Sequence, residues 1–225
     1  MGEVVISARG LSKVYGEEER HFEALRGVDL SISRGERVAI VGKIWKWQID
    51  AHALASTSRF CNKWRSLYKE TDARELSARQ LNKLRNQTFG FVFQQFFMNA
   101  NDSVLNNVLL PLKINWTKRS ARKKIAQDAL RAVGLEYKIK SKAGNQKQRM
   151  CIARAIVNSP SIIFADEPTG NLDSETSELI EDLLFGRLQK QRNITLIIVT
   201  HDPEFAEKCD RQIVIKDGRL LCRIS

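Results

Sequence analysis

Thirteen residues, IIFADEPTGNLDS from Ile162 to Ser174, constrain this chain more than any other stretch. Ile162, Ile163, Phe164 and Ala165 run without a polar break, the pattern of a strand buried on both faces, and such strands belong to parallel α/β sheets. The strand delivers two adjacent carboxylates, Asp166 and Glu167, at the end where ligands of open α/β sheets bind. An aspartate in that place can hold Mg²⁺ through oxygen, and the next carboxylate can polarise a water aimed at a γ-phosphate. A strand ending in a solvated acidic turn would account for the pair alone, but not for the whole string.

A length of 225 residues suits one α/β domain with a substantial core and room for a subdomain. No window reaches 18 apolar residues, and MGEVVISARG lacks a charged and then apolar leader pattern, so synthesis and retention in the cytosol are expected. Cys61, Cys151, Cys209 and Cys222 have no CxxC spacing and read as reduced thiols. The formal charge of +11 points towards nucleic acid or an anionic membrane surface. Its densest cluster, KRSARKK from Lys118 to Lys124, reads as the solvated face of an amphipathic helix. None of the usual nucleic-acid-binding motifs is present, so no nucleic-acid partner is expected.

The string IIFADEPTGNLDS, together with VTHD at Val199–Asp202, closely resembles the Walker B, D-loop and switch segments of ATP-binding cassette (ABC) ATPases. The likeness is greatest to the subfamily serving lipoprotein-release and macrolide-export type transporters. The resemblance implies an α/β P-loop NTPase core with an N-terminal antiparallel β-subdomain and an inserted α-helical subdomain. On it, residues 1–94 and 160–225 are the core and 95–159 the helical insertion. It also implies ATP hydrolysis at a two-subunit interface, with ATP and Mg²⁺ as cofactors, driving a membrane permease from the inner face of the cell membrane. Asp166 then holds Mg²⁺, Glu167 is the base, and Asp173 helps couple the two sites. Gln94, at the end of the strand FGFVFQQF, reaches Mg²⁺ and the attacking water. His201 senses the γ-phosphate and orients water, and Tyr15 stacks on adenine. A strand-end tyrosine, glutamine or histidine taken singly is as readily a packing residue.

Other elements follow from pattern. Val4 to Arg9 alternates as an edge strand does. Ala24 to Gly42 reads as two strands around a turn at Ser33–Glu36, and VAIVG as a buried strand ending where a phosphate-binding loop should start, at Gly42. Helical spacing runs through ARELSARQLNKLRNQ, SVLNNVLLPLKI, SARKKIAQDALRAVGL and RMCIARAIVNSP, the last stopped by Pro160. SETSELIEDLLFGRLQKQ reads as one helix capped by Ser174, and RQIVIKDGRLL as a hairpin turning at Asp217 and Gly218.

The phosphate loop itself is missing. GxxxxGK[ST] requires glycine at 47 and lysine at 48, but GKIWKWQID places Trp47 and Gln48 there. Tryptophan blocks the backbone approach that glycine permits. The genetic code offers a reason. Reading the codons from Ile44 one base later, Trp45 before Lys46 and Trp47 before Gln48 each force glycine, and Gln48 before Ile49 allows only lysine or arginine. Permitted codons then give GKSGSGKSTLM, a complete phosphate loop, and Asn62–Trp64 shifts to a possible TSG. Residues 44–67 therefore read as the out-of-frame translation of an ordinary ATPase segment; a divergent loop is the other reading.

A second departure lies before RMCIARAIV. The family's LSGGQ signature should follow Gly134 and Leu135 by about ten residues. Here EYKIKSKAGN leads straight into QKQR, so that LSGG is absent and Gln146 is what remains. Setting KAGNQ against LSGGQ instead keeps Gly144 and loses the serine. Either way a helix start that should offer N–H groups to phosphate is altered. The chain thus lacks a recognisable Walker A lysine and signature, and little or no ATP turnover is expected. Three functions are compatible with this: an ATPase subunit, paired with a second copy or homologue, whose gene is damaged; a non-catalytic subunit that binds a permease or an intact ATPase; or a basic nucleic-acid binder.

Overall fold

Alternating apolar residues in the first 33 positions build an antiparallel sheet, and continuous apolar runs later in the chain build parallel strands. The computed structural model describes residues 2–15, 22–42, 65–68, 71–72, 76–94, 98–142, 147–170, 172–190 and 193–224. The chain divides into two compact units, Met1–Asn82 with Ile197–Ser225, and Lys83–Leu196.

In the first unit β1 (Val4–Tyr15), β2 (Phe22–Ser33), β4 (Arg65–Tyr68) and β5 (Thr71–Asp72) form a sheet in the order β2-β1-β4-β5, every pairing antiparallel. Because β4 pairs Ile6 with Tyr68 and Arg9 with Arg65, β1 is an interior strand, not the edge strand its alternation suggested. Its partner lies sixty residues away, beyond the reach of local pattern. Residues 65–67, the end of the tract assigned as out of frame, belong to β4; a ladder is made by backbone groups and tolerates the side chains it carries. The remainder of that tract lies outside the described residues.

Also in this unit, β3 (Arg37–Val41) runs parallel to β9 (Arg211–Lys216), which turns through Asp217 and Gly218 into β10 (Arg219–Ile224). The turn is the hairpin expected, with φ of 51° and 78° at its two residues, the type I′ geometry. β8 (Thr195–Thr200) follows β3 in the order β10-β9-β3-β8, and a short helix α6 (Pro203–Glu207) comes after it, capped by Asp202. Val38, Ala39, Ile40, Ile213 and Ile215 are buried where β3 meets β9. Arg37 locks the first rung: its N–H and Nε donate to the two carboxylate oxygens of Asp210 at 2.9 and 3.0 Å. That pairing holds the Asp210 carboxyl below the usual range.

The second unit begins with α1 (Ala78–Thr88), from Lys83 onward, and β6 (Phe89–Val92). The helices expected from the sequence follow as α2 (Val104–Ile114), α3 (Arg119–Ala132) and α4 (Lys147–Ile156), and they pack on one another. β7 (Ile162–Asp166) lies parallel to β6, and Thr195 at the start of β8 donates to Ser161 O at 3.0 Å. After β7 comes α5 (Ser174–Glu181), whose backbone widens into a π-helical stretch over Asp182–Lys190 with Leu183, Leu184 and Leu188 buried. The sequence had read both as one helix.

Four boundaries differ from expectation. β6 stops at Val92 and not at Gln94, because its ladder to β7 ends at the Val92–Ala165 rung, one residue before the chain leaves the strand direction. α4 ends at Ile156, ahead of Pro160: Ser159 turns left-handed at φ 53°, and Asn158 donates from Nδ2 to Asn86 O at 3.2 Å. The cap of α5 is Asp173, not Ser174, with the Asp173 Oδ1 accepting from Thr176 N at 2.8 Å. β8 ends at Thr200, so His201 lies just beyond the strand. Among the described residues no helix is long and apolar enough to cross a membrane.

Candidate functional site

All five residues of β7 are buried, which carries an aspartate to the strand's end with almost no water around it. Asp166 is 6% exposed, and its Oδ2 is buried with no hydrogen-bond partner. Burial, and then the neighbouring Glu167 charge, push its carboxyl up to about 6. A buried acceptor without a donor is costly in a folded chain. A hard cation that takes carboxylate oxygen removes that cost, so the donor set fits Mg²⁺.

Glu167 ends the strand abruptly. Its φ of 43° is left-handed, a conformation that costs a non-glycine residue roughly 1–2 kcal/mol. The turn it starts is closed by Gly170 N donating to Glu167 O at 3.2 Å. A Cβ placed on Gly170 would lie 3.5 Å from both Gln94 Nε2 and Glu167 Oε2. Strand β6 and strand β7 therefore bring Gln94 and Glu167 to the same small space, beside a residue whose missing side chain keeps it open.

One contributor was not singled out in the sequence. Gln148, 4% exposed on α4, donates from Nε2 to Pro168 O at 2.7 Å and so holds the residue after Glu167. A signal existed: Gln148 sits one turn before Ile152, on the buried stripe of an amphipathic helix where an apolar residue is the rule.

The other expected residues fall as follows. Asp173 spends its side chain within the chain, accepting from the Thr176 backbone N–H and from Thr176 Oγ1 at 3.1 Å, which lowers its carboxyl's pKa. Tyr15 closes β1, Gly42 follows β3, and His201 is exposed after β8; all three belong to the first unit. Gly42 is sterically required, since a Cβ there would overlap the Ile215 carbonyl oxygen. Gln146 lies outside the described residues, as does Lys43 onward through Trp64. Among the described residues no group of three or more histidine, cysteine or acidic side chains could hold a metal; the carboxylates at the end of β7 fit a cation shared with a phosphate ligand.

An orphaned aspartate followed by a left-handed glutamate at the end of a buried parallel strand is an arrangement that fits the P-loop class of nucleotide-binding proteins. Comparison with known proteins narrows this. The family model described as ABC transporter matches residues 66–170. The lipoprotein-releasing system ATP-binding protein LolD of Syntrophotalea carbinolica is 40% identical, the match covering 97% of this chain and 98% of that one. LolD of Legionella pneumophila (strain Paris) is 35% identical over 99% and 100%. Among solved structures, a dimeric post-hydrolysis state of an ATP-binding cassette bound to ADP and Pi superposes with a TM-score of 0.85, at 32% identity and 97% coverage of each chain. The chain belongs to the ATP-binding subunit family of ABC transporters.

Proposed function

We propose that this chain is the ATP-binding subunit of a lipoprotein-releasing type of ABC transporter, built to work as a pair beneath a membrane permease, and that in its present sequence it has lost ATP turnover. The observation that carries the reading is Asp166, whose buried Oδ2 has no donor and sits one residue before the strained Glu167. LolD relatives matched end to end, and a cassette dimer of the same fold, support the permease, the second subunit and a position on the inner face of the membrane.

In this reading Asp166 and Gln94 are the Mg²⁺ ligands. Bound Mg²⁺ would neutralise charge on the β- and γ-phosphates. In a subunit of this type with an intact phosphate loop, Glu167, left-handed and held by its turn, would be the base, and Gln94 and His201 are by resemblance the residues that would orient the attacking water. Tyr15 offers a ring to adenine. Asp173 caps α5 and links the two sites of the pair. Residues 1–94 and 160–225 serve as the core and 95–159 as the helical insertion.

Two elements oppose turnover. Trp47 and Gln48 stand where a phosphate cradle needs glycine and lysine, and only Gln146 remains of the signature. The family match opening at residue 66, beside the end of the 44–67 tract, supports reading that tract as out of frame. Loss of the loop should weaken nucleotide binding well beyond the tenfold that about 1.4 kcal/mol represents.

Equilibrium dialysis with Mg²⁺–ATP, run on this chain and on a chain whose residues 44–67 are replaced by the next-frame reading, tests the proposal. Binding restored by the replacement and weakened by Asp166→Asn is expected. Phosphate release by the unaltered chain that Glu167→Gln abolishes would overturn the loss of turnover. A repaired chain that still fails to bind ATP would overturn the assignment of the tract.

A further inference from the structure

Between Asp102 and Asp128 the chain has no acidic residue, while Lys113, Lys118, Arg119, Arg122, Lys123 and Lys124 all fall within that span. Five of these cations are exposed, at the end of α2, in the loop after it and on the first turns of α3. Arg122 is half-buried, its Nε donating to Thr117 O at 2.7 Å, which ties the loop to α3. The same corner carries exposed apolar groups. Leu110 and Ile114, one turn apart on α2, are 49% and 62% exposed, and Trp116, left-handed at φ 55°, is 89% exposed.

Water favours neither a bare indole nor two bare aliphatic side chains beside it. Interleaved with lysine and arginine and free of acids, they have the composition of segments that lie at the surface of an anionic bilayer: the indole settles at headgroup depth, aliphatic groups reach the acyl boundary, and long cationic side chains extend to phosphate. We propose that the α2–α3 corner, Leu110 to Lys124, binds anionic phospholipid headgroups directly, Trp116 entering the headgroup layer and Lys113, Lys118, Arg119, Lys123 and Lys124 supplying the charge.

Charge complementarity selects this occupant. Three apolar side chains fall far short of the roughly 20–30 residues per side of a stable protein interface, whereas headgroup insertion needs one ring and local charge. A nucleic acid would use the cations and leave Leu110 and Ile114 without a role. The surface acts independently of ATP and of any permease, so it goes beyond the function proposed above.

Sedimentation of the purified full chain with protein-free vesicles tests it, using phosphatidylcholine alone and phosphatidylcholine mixed with phosphatidylglycerol. Binding to the mixed vesicles only, weakening as salt rises, is expected. Replacing Lys118 and Lys123 by serine should lower the partition coefficient by about fivefold for each lysine removed. Trp116→Ser should lower it about tenfold through lost apolar burial. A matched pair on the β9–β10 hairpin, Lys216→Ser with Arg219→Ser, should change it by less than about twofold. Circular dichroism checks that each variant keeps its helices. Failure to bind protein-free anionic vesicles overturns the proposal and leaves the corner to a protein partner. Equal losses from the hairpin pair overturn it in favour of net charge, as does indifference to Trp116→Ser. Equal binding to neutral vesicles, or binding to an RNA homopolymer in place of vesicles, overturns it too.

Discussion

Gln148 on α4 donates to the carbonyl oxygen of Pro168, 2.7 Å away and twenty residues later in the chain. The bond joins α4 to the turn that begins at Glu167. A buried amide on a helix is thereby tied to the backbone beside Glu167. Gln148→Ala leaves the Pro168 carbonyl buried without a donor and should destabilise the chain by about 1–3 kcal/mol, read as a lower urea midpoint. Gln148→Glu cannot donate when ionised, so its midpoint should recover towards acid pH. A midpoint unchanged in both variants would show that the bond holds nothing.

Asp166 sets a pH dependence. Its folded carboxyl titrates at about 6, above the ordinary aspartate value, so the folded state holds a proton that the unfolded chain has released. Stability from this group is therefore full below the unfolded value and lost as pH rises through about 6, leaving a penalty at neutrality. Thermal unfolding scans at pH 5 and pH 7.5 should show Asp166→Asn gaining more on the parent chain at the higher pH than at the lower. Parallel curves at both would remove burial as the cause.

The left-handed backbone of Glu167 is a cost the fold bears for placing its side chain. Glycine relieves that strain and alanine does not. Glu167→Gly should therefore be more stable than Glu167→Ala by about 1 kcal/mol, after its greater unfolded-state freedom is allowed for. Chemical denaturation of the two variants decides it, and alanine proving the more stable would mean that the turn is not strained.

Gly90 on β6 has no room for a side chain. A Cβ there would lie 2.6 Å from Ala155 O and 3.1 Å from Pro160 Cγ. The carbonyl belongs to α4 and cannot swing aside, so Gly90→Ala should cost about 1–3 kcal/mol by overpacking, seen as a drop in the unfolding temperature. A variant as stable as the parent would place α4 farther from β6.

Elements made by local pattern were legible in advance. The run Ile162–Ala165 predicts a strand buried on both faces, and β7 is one; Asp217 and Gly218 predict a tight turn, and β9–β10 is joined by one. The helices α2, α3 and α4 follow from spacing alone. Ends and neighbours were less legible. β1 became an interior strand through β4, and β6 stopped at Val92, where its ladder to β7 ends. Asp173 took the cap that Ser174 could equally have filled, since either side chain can accept from the first turn.

Chemistry at the end of β7 is likewise divided. Two carboxylates at the close of an apolar run could be read from order and spacing, because a strand's burial and its direction are local properties. The expectation of a missing phosphate loop rests on Trp47 and Gln48 in the sequence alone, since both lie outside the described residues. That Asp166 lacks a donor, that Glu167 is left-handed, that Gln94 and Glu167 meet beside Gly170, and that Gln148 holds Pro168 are decided by residues brought together from 20 to more than 70 positions apart. Desolvation and hydrogen-bond geometry depend on those long-range neighbours, and no local period in the chain encodes them.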